Sequence, residues 1–294
     1  MDIGIALPTM CRGYTRATTI DWCKLADQGP FSSISCGERV TFHNPDMWTT
    51  LAAAAALTER LRIFVNLSVL PAHPAALVAK QTATLDVLSG GRVTLGVGVG
   101  GREHDYSAMD SGFDRRHARL DEGVAALRAL WSGAPPFDGA DPIGPQCVQR
   151  GGPPLLAGAL GPKSLARAAA WADGVIGFSV AGLPAEITWA ADAARSTWDR
   201  AGRDAPRLVS GCFYAVGVPE PATVLRAFTA EYLAIFGRDN VASFASSMTT
   251  FDADAVNRAL DGAEAAGLDE FILVPAAPEL AVLEATIDLV QRRR

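Results

Sequence analysis

The feature that most constrains this chain is a repeated alternation: short β-branched or apolar runs separated by Ala-rich runs with helical period. The apolar runs fall at residues 3–7, 31–35, 63–69, 93–97, 155–157, 174–178, 208–216 and 270–274. Runs that are apolar on both faces are strands covered on both sides, and a helical run after each strand is the crossover that a parallel sheet needs. Eight such units close into a (β/α)8 barrel. With 294 residues, 49% of them hydrophobic, the chain can bury the core of one such domain over 1–294 without metals or disulfides.

Local signals place the helices. One is expected over 18–27, one from Pro74 to the paired stop at Gly90-Gly91, and one over 114–131. The stretch 132–154, rich in Pro and Gly, reads as an excursion over the barrel mouth that would carry substrate selectivity. Residues 220–267 hold more helix than one crossover needs, in three segments, and these are expected outside the barrel wall. No internal repeat and no separating linker is visible.

Charge and cysteine usage narrow the function. The net charge is -6, with acids and bases mixed and no basic block longer than the final three arginines, so nucleic acid is not an expected partner. Five cysteines, scattered and without a Cys-x-x-Cys pair, read as free thiols of a cytoplasmic protein. No signal-peptide layout and no uncharged stretch of about 18 residues is present, so no membrane association is expected.

In a barrel of this kind the chemistry sits at the carboxyl ends of the strands. Those ends are poor in acids: Glu38 and the cluster Glu103 to Asp105 are all they offer. A glycosidase needs two facing carboxylates, and a metal-dependent hydrolase needs several converging ligands, so both classes fit badly and no metal is expected. Few ionisable groups among glycine-rich loops suit an enzyme whose difficult chemistry is supplied by a cofactor. Gly158-Ala159-Leu160-Gly161-Pro162-Lys163-Ser164 follows a strand and opens a helix. It can be a phosphate cradle or a plain turn with Pro162 at the first helical position. Gly96-x-Gly98-x-Gly100-Gly101 can simply relieve crowding at a strand end, and its spacing is not a dinucleotide fingerprint.

Several segments together carry a family resemblance: Pro71-Ala72-His73-Pro74, the run from Ala79 through Leu85-Asp86-Val87-Leu88-Ser89-Gly90-Gly91-Arg92, and Leu95-Gly96-Val97-Gly98-Val99-Gly100. Arg116, Arg119, Glu122 and Trp171-Ala172-Asp173-Gly174 follow in the same order. The chain resembles the bacterial luciferase-like family of flavin- and deazaflavin-dependent oxidoreductases, over about residues 1–215 by motif and beyond that by architecture. The resemblance implies a luciferase-like TIM barrel with a ring system across its mouth. Val65, Asn66 and Leu67 would stand behind the ring, with a cis peptide at Asn66–Leu67. Gly98 and Gly100 would lie near it, and Gly158, Ala159, Gly161, Pro162 and Lys163 would hold the phosphate. Asp86 and Arg92 are expected to pin the turn between them rather than to meet substrate.

The compact length resembles the coenzyme F420-dependent branch, which moves hydride between a deazaflavin and a small organic substrate. The alternative is a flavin mononucleotide (FMN) monooxygenase using reduced flavin and oxygen, and a third reading is a non-catalytic flavin-binding barrel. Relatives suggest a homodimer. Departures from the family pattern define the catalytic candidates. Glu38-Arg39 stands where the deazaflavin dehydrogenases often carry Asp-His, and Gly101 stands near the position of their acidic residue. Arg39 stays protonated and can bind an anionic substrate, stabilise charge on a reduced ring, or pair with Glu38 at the surface. His43 is either a displaced proton donor or a solvated loop residue. Tyr106, with His104 and Asp105, either hydrogen-bonds the phosphate or ring edge or has a capping or core role.

Overall fold

The computed structural model describes residues 1–293, with the side chains of residues 238–240 excepted. The strands are β1 (Asp2–Ala6), β2 (Ser33–Cys36), β3 (Arg62–Ser68), β4 (Val93–Val97), β5 (Leu155–Gly158), β6 (Gly174–Ile176), β7 (Arg207–Tyr214) and β8 (Glu270–Pro275). They form a closed barrel in chain order, every neighbour parallel. The helices are α1 (Arg16–Gln28), α2 (Met47–Leu57), α3 (Ala75–Ser89), α4 (Glu103–Ala108), α5 (Arg116–Trp131), α6 (Pro162–Ala168), α7 (Pro184–Arg200), α8 (Pro221–Leu233), α9 (Arg238–Ser246), α10 (Ala253–Ala265) and α11 (Leu280–Gln291).

Alternation along β3 shows how the two cores are divided. Ile63 and Val65 point outward and join Leu51 of α2 and Val78 of α3 in the layer between sheet and helices. Phe64 points inward and meets Ala6, Leu156, Ile176, Val209 and Ile272 in the barrel interior. Helix α3 ends as expected: Gly90 is left-handed at φ 66, a conformation that suits glycine, and its N–H returns to the Asp86 carbonyl.

At the amino-terminal end of the barrel, Glu270 is 1% exposed and accepts from Ser32 (2.7 Å), Ser33 (2.6 Å), Arg62 (2.8 Å) and Arg207 (2.8 Å). A buried carboxylate persists only when it is paired and hydrogen-bonded in this way. Arg92 acts as a second clamp: it donates to the carbonyls of Ala55, Thr58, Leu61 and Ser89, and so fixes the α2–β3 and α3–β4 turns. Asp86 instead accepts from the backbone N–H (2.9 Å) and side-chain amide (2.8 Å) of Gln149. Both residues are structural, as expected, but each holds a different segment.

Two expected placements are corrected. Residues 132–154 do not cover the barrel mouth and none of them lines its cavity. They pack beside the C-terminal end of α3, where Gln149 also donates to the Val93 carbonyl and Lys80 Nζ reaches Gly144 O at 2.9 Å. The segment leads from a helix into a strand, and in a (β/α)8 barrel every such connection lies at the amino ends of the strands. The extra helical segments are likewise not all outside the wall. Helix α10 packs on α7 as the wall helix before β8, whereas the end of α8 and the 3-10 turn Ala234–Phe236 bring Tyr232, Leu233 and Phe236 over the mouth. Among the described residues no helix is long and apolar enough to cross a membrane.

Candidate active site

A cavity of about 540 Å³ opens at the carboxyl ends of the strands. Ala6, Ser35 and Ile176 lie at its floor, and Met10, Phe178, Phe213, Tyr232 and Phe236 form much of an apolar wall. The aromatic wall is packed edge to face, with Phe213 meeting Phe178, Phe228 and Tyr232 at centroid separations of 5.1, 5.0 and 5.1 Å.

The back of the cavity is an irregularity in β3. Its register against β4 shifts between Val65 and Ser68, the Asn66–Leu67 peptide is cis, and both of these residues line the cavity. Three glycines make room for it. A Cβ on Gly158 would stand 2.4 Å from Leu67 Cδ2, one on Gly98 3.1 Å from Leu67 Cδ1, and one on Gly96 2.6 Å from the Val65 carbonyl oxygen. These strand-end glycines therefore accommodate the β3 irregularity first, while Gly98 and Gly158 also line the cavity. Gly100, at φ +58, lies against Val69 at the rim. Val65 does not present its side chain here: it is fully buried in the outer core and does not line the cavity.

The loop after β5 divides in the same manner. Gly158, Leu160, Gly161 and Ser164 line the cavity, whereas Ala159 is buried behind the loop and Pro162 and Lys163 are exposed. The Ser164 hydroxyl accepts the Gly161 N–H at 3.1 Å and donates to the Gly161 carbonyl at 2.8 Å, closing the first turn of α6 with Pro162 at its first position. His117 of α5, which the sequence did not single out, also lines the cavity. Burial and the nearby Arg116 and Arg167 hold its imidazole below its usual value.

Most charged groups at the mouth are engaged with one another. Glu38 accepts the Val69 N–H at 2.6 Å and lies 2.8 Å from His73 Nε2, with both side chains under 10% exposed. Burial alone would pull His73 down, but the hydrogen bond to Glu38 and its charge outweigh that and leave the imidazole raised. Asp105 accepts from the Thr41 N–H at 2.8 Å and from its hydroxyl, and lies 3.3 Å from Arg102 Nε. Arg39 is not a surface partner of Glu38. It is 8% exposed, its guanidinium lies 3.6 Å from the Tyr232 ring centroid and 4.7 Å from that of Phe42, two rings set edge to face, and Nη2 donates to the Tyr232 carbonyl at 2.6 Å. Burial lowers its affinity for the proton.

Two candidates lie away from the cavity. His43 stands outside the lining, stacked on Phe42 at 4.1 Å and 3.8 Å from Glu231. Tyr106 is fully buried in a small core with Val69 and Ala72, and its hydroxyl donates to the Val99 carbonyl at 2.7 Å, so the core role describes it. Thiol chemistry is disfavoured as well, because burial pushes Cys36 and Cys212 up to about 12. Among the described residues no three His, Cys, Asp or Glu side chains gather to hold a metal ion. Among the described residues the lining offers an apolar enclosure and, in Arg39, a buried guanidinium without a carboxylate partner, with no two free carboxylates facing one reacting centre.

Comparison with known proteins agrees with this geometry. Residues 1–291 match the family described as luciferase-like monooxygenase. Over 103 residues, the chain is 38% identical to the pyrimidine monooxygenase RutA of Escherichia coli strain SMS-3-5, a stretch covering 33% of this chain and only 28% of that relative's length. Monooxygenase RslO1 from Streptomyces bottropensis superimposes with a TM-score of 0.77 at 24% identity, covering 99% of this chain and 98% of that one. An F420-dependent secondary alcohol dehydrogenase, solved with an F420-acetone adduct, superimposes with a TM-score of 0.76 at 19% identity, covering 99% of both chains.

Proposed function

This chain belongs to the luciferase-like monooxygenase family, and on that premise we propose that it is a coenzyme F420-dependent oxidoreductase moving hydride between the deazaflavin and a small organic substrate. The observation that carries this reading is the largely apolar cavity of about 540 Å³, whose carboxylates are engaged by protein groups. Such a site supplies enclosure and positioning and relies on a bound group for the redox step. The residues fit such a group: the buried Ser35 Oγ at the cavity floor has no protein partner, which suits a ligand bearing polar ring-edge atoms.

When bound, the deazaflavin supplies or accepts the hydride. Asn66 and Leu67 would back the ring, and Gly161, Ser164 and Lys163 would hold the phosphate at the loop after β5. Phe178 and Phe213 would keep water from the cavity wall, and Phe236 stands at the mouth. His73 Nε2 lies 2.8 Å from Glu38 Oε1, and Glu38, by accepting the Val69 N–H, fixes the start of the segment after β3.

A second reading, an oxygen-using FMN monooxygenase, is favoured by the sequence match to RutA. Titration of the purified protein with oxidised coenzyme F420 and with FMN, following ring fluorescence at several salt concentrations, separates the two. Preferential micromolar F420 binding supports the deazaflavin reading, preferential FMN binding replaces it with the monooxygenase reading, and binding of neither refutes both.

A further inference from the structure

The guanidinium of Arg39 is the one charged group of the mouth that the described side chains leave unbalanced. It makes no ion pair with any described carboxylate, and its Nη1 is buried without a hydrogen-bond partner. Buried charges in proteins are ordinarily paired, and a guanidinium donor left over beside a cavity calls for an acceptor on a ligand. The neighbouring acids do not serve: Glu38 is held by His73 and the Val69 N–H, and Asp105 by Thr41 and Arg102. Arg102, at the same mouth, is by contrast engaged: it pairs with Asp105 at 3.3 Å and its Nη2 donates to the Thr41 carbonyl at 3.1 Å. Both arginines line the cavity, whose wall is largely apolar, with Glu38, Asp105 and His117 also among its lining residues.

Position distinguishes this charge from one that serves the cofactor. Arg39 follows β2, whereas the loop read as the phosphate holder follows β5, on the far side of the closed eight-stranded ring. Resting on the oxidoreductase reading above, we propose that the substrate is an organic carboxylate with an apolar body, its carboxylate held by Arg39. Contacts with the Tyr232 and Phe42 rings and the Nη2 bond to the Tyr232 carbonyl hold the planar guanidinium in place at the cavity wall, which lowers the cost of ordering it on binding.

The test uses benzoate and its neutral analogue benzamide as probes, measured by calorimetric titration of the purified protein with and without saturating F420. Benzoate is expected to bind at least about tenfold more tightly than benzamide, the scale of a charge-assisted bidentate contact. Arg39→Met should bring the two within about threefold, leaving F420 affinity within about threefold of wild type. Equal binding of the two probes by wild type overturns the proposal, as does an intact preference in Arg39→Met. Loss of F420 binding in that variant, with the benzoate preference retained, would assign the guanidinium to the cofactor instead. Should Arg39→Met not fold, Arg39→Lys decides: it keeps the charge but lacks the fork, and its preference should fall about fivefold, an unchanged one overturning the proposal. If wild type prefers benzoate but binds neither F420 nor FMN, the redox reading fails and the anion site stands.

Discussion

Replacing Gly96 with Ala probes the contact between β4 and the irregular part of β3. The new Cβ would lie 2.5 Å from Ile176 Cδ1, 2.6 Å from the Val65 carbonyl oxygen and 3.3 Å from Leu67 Cβ. The Ile176 tip can turn aside. The Val65 carbonyl cannot, because its residue is paired on both sides, with Cys36 of β2 and Leu95 of β4. Relief requires the strands to part by about half an ångström, and overpacking of this kind costs about 1–3 kcal/mol. Were there room for the methyl, Gly→Ala would instead stabilise by about 0.4–1 kcal/mol through the unfolded chain, so the sign of the effect is diagnostic. For a domain of this size each kcal/mol moves Tm by roughly 2–4 °C, giving an expected fall of about 2–12 °C by calorimetry. F420 affinity should weaken in parallel, since the displaced backbone backs the cavity. Gly101→Ala is the control: its Cβ would meet Phe236 at an ordinary 3.5 Å, and Tm should not fall. A Gly96→Ala protein as stable as wild type would refute the packing argument.

Further substitutions test individual assignments. His73 is raised in the folded state, so its contribution is fully present below about pH 6.5, its unfolded value, and is lost as pH rises through the native one. Wild-type unfolding free energy should therefore exceed that of His73→Gln most at acidic pH, with the gap narrowing above neutrality in urea titrations; a gap constant with pH would contradict the Glu38 pairing. Tyr106→Phe removes only the hydrogen bond to Val99 and should cost about 1 kcal/mol in stability with F420 affinity unchanged. A large loss of cofactor binding there would restore Tyr106 to the site. Lys163→Ala should lower F420 affinity severalfold and flatten its salt dependence, because an exposed lysine acts through screened charge; an unchanged salt slope would remove it from the phosphate site.

The barrel was legible because its evidence is periodic: 93–97 is β4 as read, and the other strands differ by a few residues at their ends. The helix stop at Gly90 was equally readable, since a left-handed residue after a helix leaves a local mark in the sequence. Connections were harder. Proline and glycine mark 132–154 as a loop, but only its place in the helix-to-strand order puts it at the amino end of the barrel. Composition also gave no sign that Tyr232 and Phe236 would reach the mouth, because that depends on how α8 turns at its end. Charge pairing is long-range as well: Glu38 meets His73 and Arg39 meets Tyr232 across 35 and 193 positions, separations that no local pattern encodes. Tyr106 and Val65 were assigned by motif, and the side-chain direction that removes them from the cavity follows only from the fold.

The Glu270 cluster ties β2, β3, β7 and β8 together at the end of the barrel opposite the cavity. Fastening and chemistry are therefore carried by different residues at different ends of the same strands. Mutations can accumulate around the mouth without loosening the closure, so the base is a chassis on which the strand-to-helix loops can diversify. A library confined to those loops should keep a high proportion of folded members, whereas one touching Glu270, Arg62 or Arg207 would lose them.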